Sequence, residues 1–244
     1  AVPTVGWSFD HWSGGLSGSA NPATLVITGD TSVTATFTQD QYTLTVTVVG
    51  SGSVDKSPDQ ATYTWGTNVT LTASASVGWT FAGWSGDASG TANPTAVNMT
   101  SSKAVTATFT QNTYTLTVYI VGLGSVTFNS TGPYHYGDAV LLTAVPSIGW
   151  SFDHWSGNLI GTTNPATLVI TGSMTVTANF TQNVYTLTVT VVGSGTVSLN
   201  VTGPYHYGDA VQLTAAPATG WVLQYWSGDL SGSVNPATLV ITGD

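Results

Sequence analysis

One repeated pattern limits what this chain can fold into more than any other feature. The tripeptide Trp-Ser-Gly recurs after 72, 71 and 71 residues, and the dipeptides Gly-Trp and Asn-Pro keep the same spacing. A period of this length indicates a small module that is repeated along the chain. Two tryptophans hold fixed positions in each unit, and we predict that they form the core of the repeats. They are Trp7, Trp12, Trp79, Trp84, Trp150, Trp155, Trp221 and Trp226.

The segment Tyr-Thr-Leu-Thr-Val sets the frame of the repeat, since it opens at Tyr42, Tyr114 and Tyr185. The predicted units are the C-terminal half of a repeat at residues 1–40, complete repeats at 41–112 and 113–183, and a repeat that lacks its last strand at 184–244. Because this frame starts and stops within a repeat, we expect the sequence to be part of a longer array. The alternative is that its two ends complete each other between molecules.

The apolar residues of each repeat alternate with polar ones, as in Tyr42, Leu44, Val46 and Val48. This period of two is typical of half-buried strands, and no window of eleven residues shows a helical period. Gly or Pro interrupts the pattern every eight to twelve residues, which favours a sandwich or a barrel. We therefore predict an all-β tandem array of small antiparallel modules of about 70 residues. Very short linkers predict that the modules form a stiff rod.

Composition excludes two classes of partner. Only 5% of the residues are charged, the formal net charge is -9, and Lys and Arg together number 2. Nucleic acids and anionic membrane surfaces both attract clusters of Lys and Arg, so we predict neither partner. No apolar run approaches the roughly 20 residues of a membrane-spanning helix, so we also predict no membrane insertion in this segment.

Five short motifs follow one another in the second repeat: Tyr42-Thr-Leu-Thr-Val, Gly50-Ser-Gly-Ser-Val, Gly66-Thr-Asn-Val-Thr-Leu-Thr-Ala, Gly78-Trp-Thr-Phe-Ala-Gly-Trp-Ser-Gly and Val105-Thr-Ala-Thr-Phe. On these motifs essentially the whole chain resembles the divergent InlB B-type repeats of bacterial and archaeal surface proteins. The resemblance implies a compact, strand-rich module, distantly similar to β-grasp repeats, on secreted or wall-attached proteins. It implies no catalytic residues, and it leaves a sandwich and a β-grasp-like topology both open.

No group of residues has the pattern of an active site, so we predict that the chain is not an enzyme. The pairs Asp10-His11 and Asp153-His154 are adjacent on predicted strands, where neighbouring side chains point to opposite faces. We predict no cofactor. Calcium is the one alternative, because Asp87 follows the Trp-Ser-Gly tripeptide and carboxylates are calcium ligands.

Two further features concern carbohydrate. Tyr134 and Tyr136 flank a histidine, as do Tyr205 and Tyr207, and such pairs either pack across strands or stack on sugar rings. Five Asn-x-Ser/Thr sequons are candidate glycosylation sites. They are Asn68, Asn98, Asn129, Asn179 and Asn200.

The stiff repeat and the Thr-rich, nearly uncharged surface favour an extracellular structural protein on the cell surface. We expect it to form or extend a fibre, sheath or stalk, with self-association or neighbouring repeats as partners. Unprotected strand edges would allow strands to pair between subunits. One alternative is an adhesin module that binds surface glycans through exposed Trp and Tyr, and another is a set of accessory repeats of a larger secreted enzyme.

Overall fold

A computed structural model describes all residues from 1 to 244. It contains 19 strands and no helix, and hence no helix that could span a membrane. The prediction of an all-β tandem array is therefore confirmed. The chain divides into two compact units, residues 1–112 and 113–244, and the division falls between the second and the third repeat.

The second repeat contains two three-stranded sheets and a two-stranded one. Its strands are β3 (Gln41–Tyr42), β4 (Leu44–Val49), β5 (Gly52–Ser57), β6 (Tyr63–Thr64), β7 (Thr67–Ala75), β8 (Trp79–Gly86), β9 (Thr95–Met99) and β10 (Lys103–Gln111). The first sheet has the order β4-β10-β8, the second has the order β5-β7-β9, and β3 pairs with β6. The first and second sheets contribute to one hydrophobic core, so the module is a two-layer sandwich.

The third repeat has the same architecture. Its strands are β11 (Leu116–Val121), β12 (Gly124–Phe128), β13 (Ala139–Pro146), β14 (Trp150–Gly157), β15 (Ala166–Val169) and β16 (Met174–Gln182). The first sheet has the order β11-β16-β14, and the second has the order β12-β13-β15. A bridge between Tyr114 and Tyr134 takes the place of the two-stranded sheet of the second repeat.

The outer repeats contain fewer strands. The first has β1 (Trp7–Gly14) and β2 (Val33–Gln39), and the fourth has β17 (Gly195–Leu199), β18 (Ala210–Pro217) and β19 (Ala237–Val240). Strands β1 and β2 form an antiparallel pair that corresponds to β8 and β10. The order β17-β18-β19 reproduces the second sheet of the complete repeats.

The last strand of each complete repeat lies at the centre of its first sheet. Strand β10 pairs with β8 in the antiparallel sense and with β4 in the parallel sense, and β16 pairs with β14 and β11 in the same way. The first sheet is therefore mixed, whereas the sequence favoured antiparallel modules. The connection from β4 to β10 passes through the whole second sheet, which easily provides the dozen or so residues that a parallel crossover needs.

The central strand supplies much of the core because its alternate side chains all point inward. In β10 these are Val105, Ala107 and Phe109, and all three are buried. Fully burying a Val or Phe side chain stabilises a fold by about 1.5–3 kcal/mol. Small Ala at the middle position leaves room for the indole opposite it, since Ala107 pairs with Trp84. Strand β16 repeats this arrangement.

The Asn side chain of each Asn-Pro motif makes the two hydrogen bonds to a strand residue that the backbone of a neighbouring strand would otherwise make. The Asn164 side chain accepts a hydrogen bond from Ala144 N at 2.8 Å and donates one to Ala144 O at 2.7 Å. Asn93 makes the same two bonds to Ala73 in the second repeat. One amide side chain thus satisfies both backbone polar groups of one residue in β13, or in β7, beyond the point where the pairing with β15, or with β9, ends.

We predict that Asn164→Asp destabilises the third repeat, because a carboxylate can still accept from Ala144 N but cannot donate to Ala144 O. Leaving a partly buried carbonyl unpaired should cost roughly 1–3 kcal/mol. Chemical denaturation of the whole chain measures the loss in the free energy of unfolding. Asn129→Asp is the matched control, because Asn129 Oδ1 only accepts a bond, from Leu141 N at 2.8 Å. Equal losses in the two variants would contradict the donor role of Asn164.

Candidate functional site

The second tryptophan of each repeat fixes the loop that follows it. In the complete repeats Trp84 and Trp155 are 5% and 1% exposed. The indole Nε1 of Trp84 donates to Ala92 O at 2.9 Å, and its backbone N donates to Gly90 O at 2.8 Å. Trp155 makes the equivalent bonds to Thr163 and Gly161. A sugar could stack on these two indoles only if the core opened.

The second tryptophan of each of the first three repeats belongs to a cluster of three rings. Phe152 lies 5.0 Å from Trp155 and 5.9 Å from Phe180, measured between ring centroids. The first and second repeats contain the same tilted and edge-on contacts, which are the favourable geometries for aromatic pairs. The first tryptophans lie nearer the surface. Trp79 and Trp150 are half-buried, and Trp7 and Trp221 are exposed.

The two Asp-His pairs come together, contrary to the expectation for neighbours on a regular strand. Asp153 Oδ2 lies 3.0 Å from His154 Nδ1, and the equivalent distance from Asp10 to His11 is 3.1 Å. The cause is a β-bulge, because the pairing register shifts between Phe152 and His154. A bulge re-aims side chains that would otherwise alternate. Both pairs lie on the surface.

The paired tyrosines do not present a common face. Tyr134 and Tyr205 are buried, and each donates its hydroxyl to a backbone carbonyl four residues earlier, that of Ser130 or Val201. Tyr136 and Tyr207 are exposed. Residues 135–138 form a turn closed by a hydrogen bond from Asp138 N to His135 O, so Tyr134 and Tyr136 do not alternate as on a strand. Neither pair therefore offers two rings to one ligand.

Asp87, the candidate calcium ligand, caps the end of its own sheet. Its Oδ2 accepts from Ala104 N at 2.8 Å, and its Oδ1 accepts from Lys103 Nζ at 3.1 Å. The backbone hydrogen bond, followed by the lysine, lowers the pKa of this exposed carboxyl because both stabilise the charged form. Asn158 makes the same backbone bond to Thr175 N in the third repeat. No three His, Asp or Glu side chains lie close enough together to hold a metal ion.

Adjacent repeats of one unit are joined by a glycine–aromatic contact. Gly6 of the first repeat has a φ of +80°, and a Cβ on it would lie 2.4 Å from the Trp65 Cβ of the second repeat. Gly149 of the third repeat, with a φ of +77°, has the same relation to Tyr207 of the fourth, at 2.5 Å. Only glycine fits at this point, because a side chain would be strained and would clash with its neighbour.

The last residue of the first and of the third repeat donates a backbone hydrogen bond to the same glycine. Asn183 N donates to Gly149 O at 2.8 Å, and Asn183 Oδ1 accepts from Ser151 Oγ at 2.6 Å. In the other unit Asp40 N donates to Gly6 O at 2.8 Å. The chain therefore enters the next repeat from a fixed position beside the glycine–aromatic contact.

The fourth repeat contains a groove of about 560 Å³. Its walls are two segments whose counterparts flank the central strand in the complete repeats, residues 187–192 and 221–228. Neither segment forms a regular strand, although their counterparts do. The apolar and aromatic residues that line it include Leu187, Val189, Val197, Ala215, Trp221 and Trp226.

The five sequon asparagines differ in the freedom of their Nδ2 atom, to which a glycan would be attached. Asn179 is half-buried and donates from Nδ2 to Ser156 Oγ at 2.9 Å and to His154 O at 3.2 Å. Asn98 Nδ2 donates to Asn68 Oδ1 at 2.8 Å. Asn129 and Asn200 are exposed and use Oδ1 as an acceptor.

The fold and these contacts define a class of protein: tandem two-sheet β-modules with a tryptophan core. A family model described as divergent InlB B-repeat domain matches residues 1–41, 42–113, 114–184 and 185–243. The chain belongs to the divergent InlB B-repeat family, so the resemblance read from its motifs is confirmed. Repeats of this family are typically found on surface or extracellular proteins and are typically non-enzymatic. No curated protein matches the chain.

We predict that a glycosyltransferase acting on folded protein modifies Asn68, Asn129 and Asn200 before Asn98 and Asn179, because the exposed amides of the first three accept through Oδ1 and need not break a hydrogen bond from Nδ2. Asn179 should remain unmodified in the folded chain. Glycopeptide mass spectrometry after timed reactions measures the occupancy of each site. The denatured chain is the control, since it should lose this order. Equal modification of Asn179 and Asn129 in the folded chain would contradict the prediction.

Proposed function

We propose that this chain is an extracellular structural protein whose repeats form or extend a cell-surface fibre, sheath or stalk. The observation that carries the proposal is the glycine–aromatic contact, which couples the first repeat to the second and the third to the fourth by the same geometry. Modules that are held together by the same recurring contact have a restricted orientation relative to their neighbours. Independent modules on flexible linkers would not.

The surface of the repeats supports the same role. The outward positions of the central strands carry Thr, as at Thr106 and Thr108 of β10, and the chain has few charges. Strands with neutral, β-branched outer faces are stable without charge pairs. Asn129 and Asn200 occupy equivalent positions in the third and fourth repeats, so glycans attached there would follow the period of the array.

We predict that Tyr207→Ala loosens the third repeat from the fourth without unfolding either, because it removes the ring that lies against Gly149. The chain has no cysteine. Spin labels on Thr162→Cys and Ser233→Cys, two exposed and equivalent positions, therefore report the distance between the repeats. The distance distribution should broaden in Tyr207→Ala. Tyr119→Ala, which removes an exposed ring of β11, is the matched control. A distribution as narrow in Tyr207→Ala as in the control would refute the coupling.

The proposed function is tested on intact cells of the source organism. Antibodies against the chain should label the cell surface, and electron microscopy should show the label along fibres, a sheath or stalks. Labelling only after the cells are opened would overturn the extracellular location. Surface label without any extended structure would overturn the structural role and favour an adhesive one.

A further inference from the structure

We propose that strand β11 of the third repeat pairs in the antiparallel sense with the same strand of a second copy of this chain. The pairing would join two three-stranded sheets, one from each copy, into one continuous sheet. The inference deepens the proposed structural role and rests on it for its purpose, because it names the partner and the strand through which copies join. Three observations carry it: a free backbone edge, large exposed side chains on that edge, and the absence of charge around it.

One edge of β11 is paired and the other is free. The strand lies at the end of the order β11-β16-β14, and no other strand or bridge pairs with it. Met174 N donates to Thr115 O at 2.9 Å, so the peptide groups of Thr115 and of every second residue after it point toward β16. Those of Leu116, Val118 and Ile120 therefore point away from the sheet. They form a row of donors and acceptors that another extended chain can satisfy.

The opposite edge of the same sheet is protected against such pairing. Strand β14 contains the bulge between Phe152 and His154. The loop after it also occupies this edge, since Trp155 N donates to Gly161 O at 2.7 Å and Gly161 N donates to Trp155 O at 3.3 Å. Bulges and covering loops are devices that keep native edges from pairing. Strand β11 has neither, because its register with β16 is regular and no backbone hydrogen bond from a loop reaches it.

The side chains at this edge are larger and more apolar than those at the same positions of the other repeats. Tyr119 stands where the second and fourth repeats have Thr47 and Thr190, and Leu123 stands where the second has Ser51. Tyr119 is 58% exposed and Leu123 is 57% exposed. Large apolar groups that cluster on the surface mark sites of interaction, so this edge favours a state in which a partner covers it.

Electrostatics favours a second copy over a charged foreign partner. Each copy has a formal net charge of -9, so two copies repel each other over most of their surface. Residues 104–137, which include β11, contain no Asp, Glu, Lys or Arg, and neither does β16. The repulsion is therefore weakest at this edge, and a basic partner would find no charge to bind there. The corresponding stretch of the second repeat contains Asp40, Asp55, Lys56 and Asp59.

The directions of the peptide groups define a symmetric register. In an antiparallel pair, opposed residues whose peptide groups face each other exchange two hydrogen bonds. Pairing Val118 of one copy with Ile120 of the other brings their outward peptide groups together, and a two-fold axis repeats this contact. Tyr119 then lies opposite its own counterpart, at a position where side chains approach closely. Aromatic pairs across strands stabilise a sheet.

The test measures self-association of the 244-residue chain by sedimentation equilibrium. The unmodified chain should form a dimer as its concentration rises. Ile120→Lys should weaken the dimer at least about tenfold, because pairing would remove the added charge from water. Ile160→Lys is the matched control, since it adds the same charge at an exposed position beside the protected edge of the same sheet, and it should dimerise like the unmodified chain. A monomer at the highest soluble concentration, or equal weakening by both substitutions, would overturn the proposal.

Hydrogen exchange of the unmodified chain gives a test that does not depend on how a variant folds. Dilution from dimer to monomer should reduce the protection of the Val118 and Ile120 amides, which point to the free edge. The amides of Thr117 and Tyr119 point toward β16 and should keep their protection. Loss of protection at all four amides, or at none, would overturn the edge pairing.

Failure of this interface and failure of the structural role give different results. A chain that stays monomeric in solution but labels fibres on intact cells would overturn the β11 interface and leave the structural role in place. A dimer with the expected exchange pattern, formed by a chain that is absent from the cell surface, would support the interface and overturn the role.

Discussion

The structure depends on the position of the last strand of each repeat at the centre of its first sheet. Strand β10 pairs on both edges, and its inner side chains Val105, Ala107 and Phe109 join the two layers. Its parallel partner, β4, lies at the other end of the repeat sequence. Paired residues such as Leu44 and Lys103 are 59 positions apart, and closing a loop of that length costs entropy that the buried strand must offset.

Neutral hydrogen bonds replace charge in closing the sandwich. The Trp155 indole reaches Thr163 O, the Asn164 side chain satisfies Ala144, and the buried Tyr134 hydroxyl reaches Ser130 O. No buried side-chain nitrogen or oxygen lacks a partner. Buried polar groups stabilise a fold only when they are paired, and here residues of one repeat pair them. This explains why tryptophan, asparagine and tyrosine keep fixed positions in the period.

Sequence reasoning predicted the strands and the all-β class because an alternating pattern shows which face of a strand is buried. It could not predict the partner of each strand, and the parallel pair of β11 with β16 followed only from the structure. The Asp153-His154 contact was missed because a bulge cannot be read from periodicity. The different roles of Tyr134 and Tyr136 were missed for a similar reason, since the chain leaves the strand between them.

The scarcity of charge also limits how these repeats can be joined. Both lysines form ion pairs within the second repeat, Lys56 with Asp59 and Lys103 with Asp87. Neither ion pair therefore joins one repeat to another. The contacts between Gly6 and Trp65 and between Gly149 and Tyr207 are instead steric and apolar. Salt screens exposed charges over about 8–10 Å but leaves apolar packing and backbone hydrogen bonds in place. Coupling of this kind therefore holds over a wide range of ionic strength, a property well suited to the outside of a cell, where the medium is not controlled.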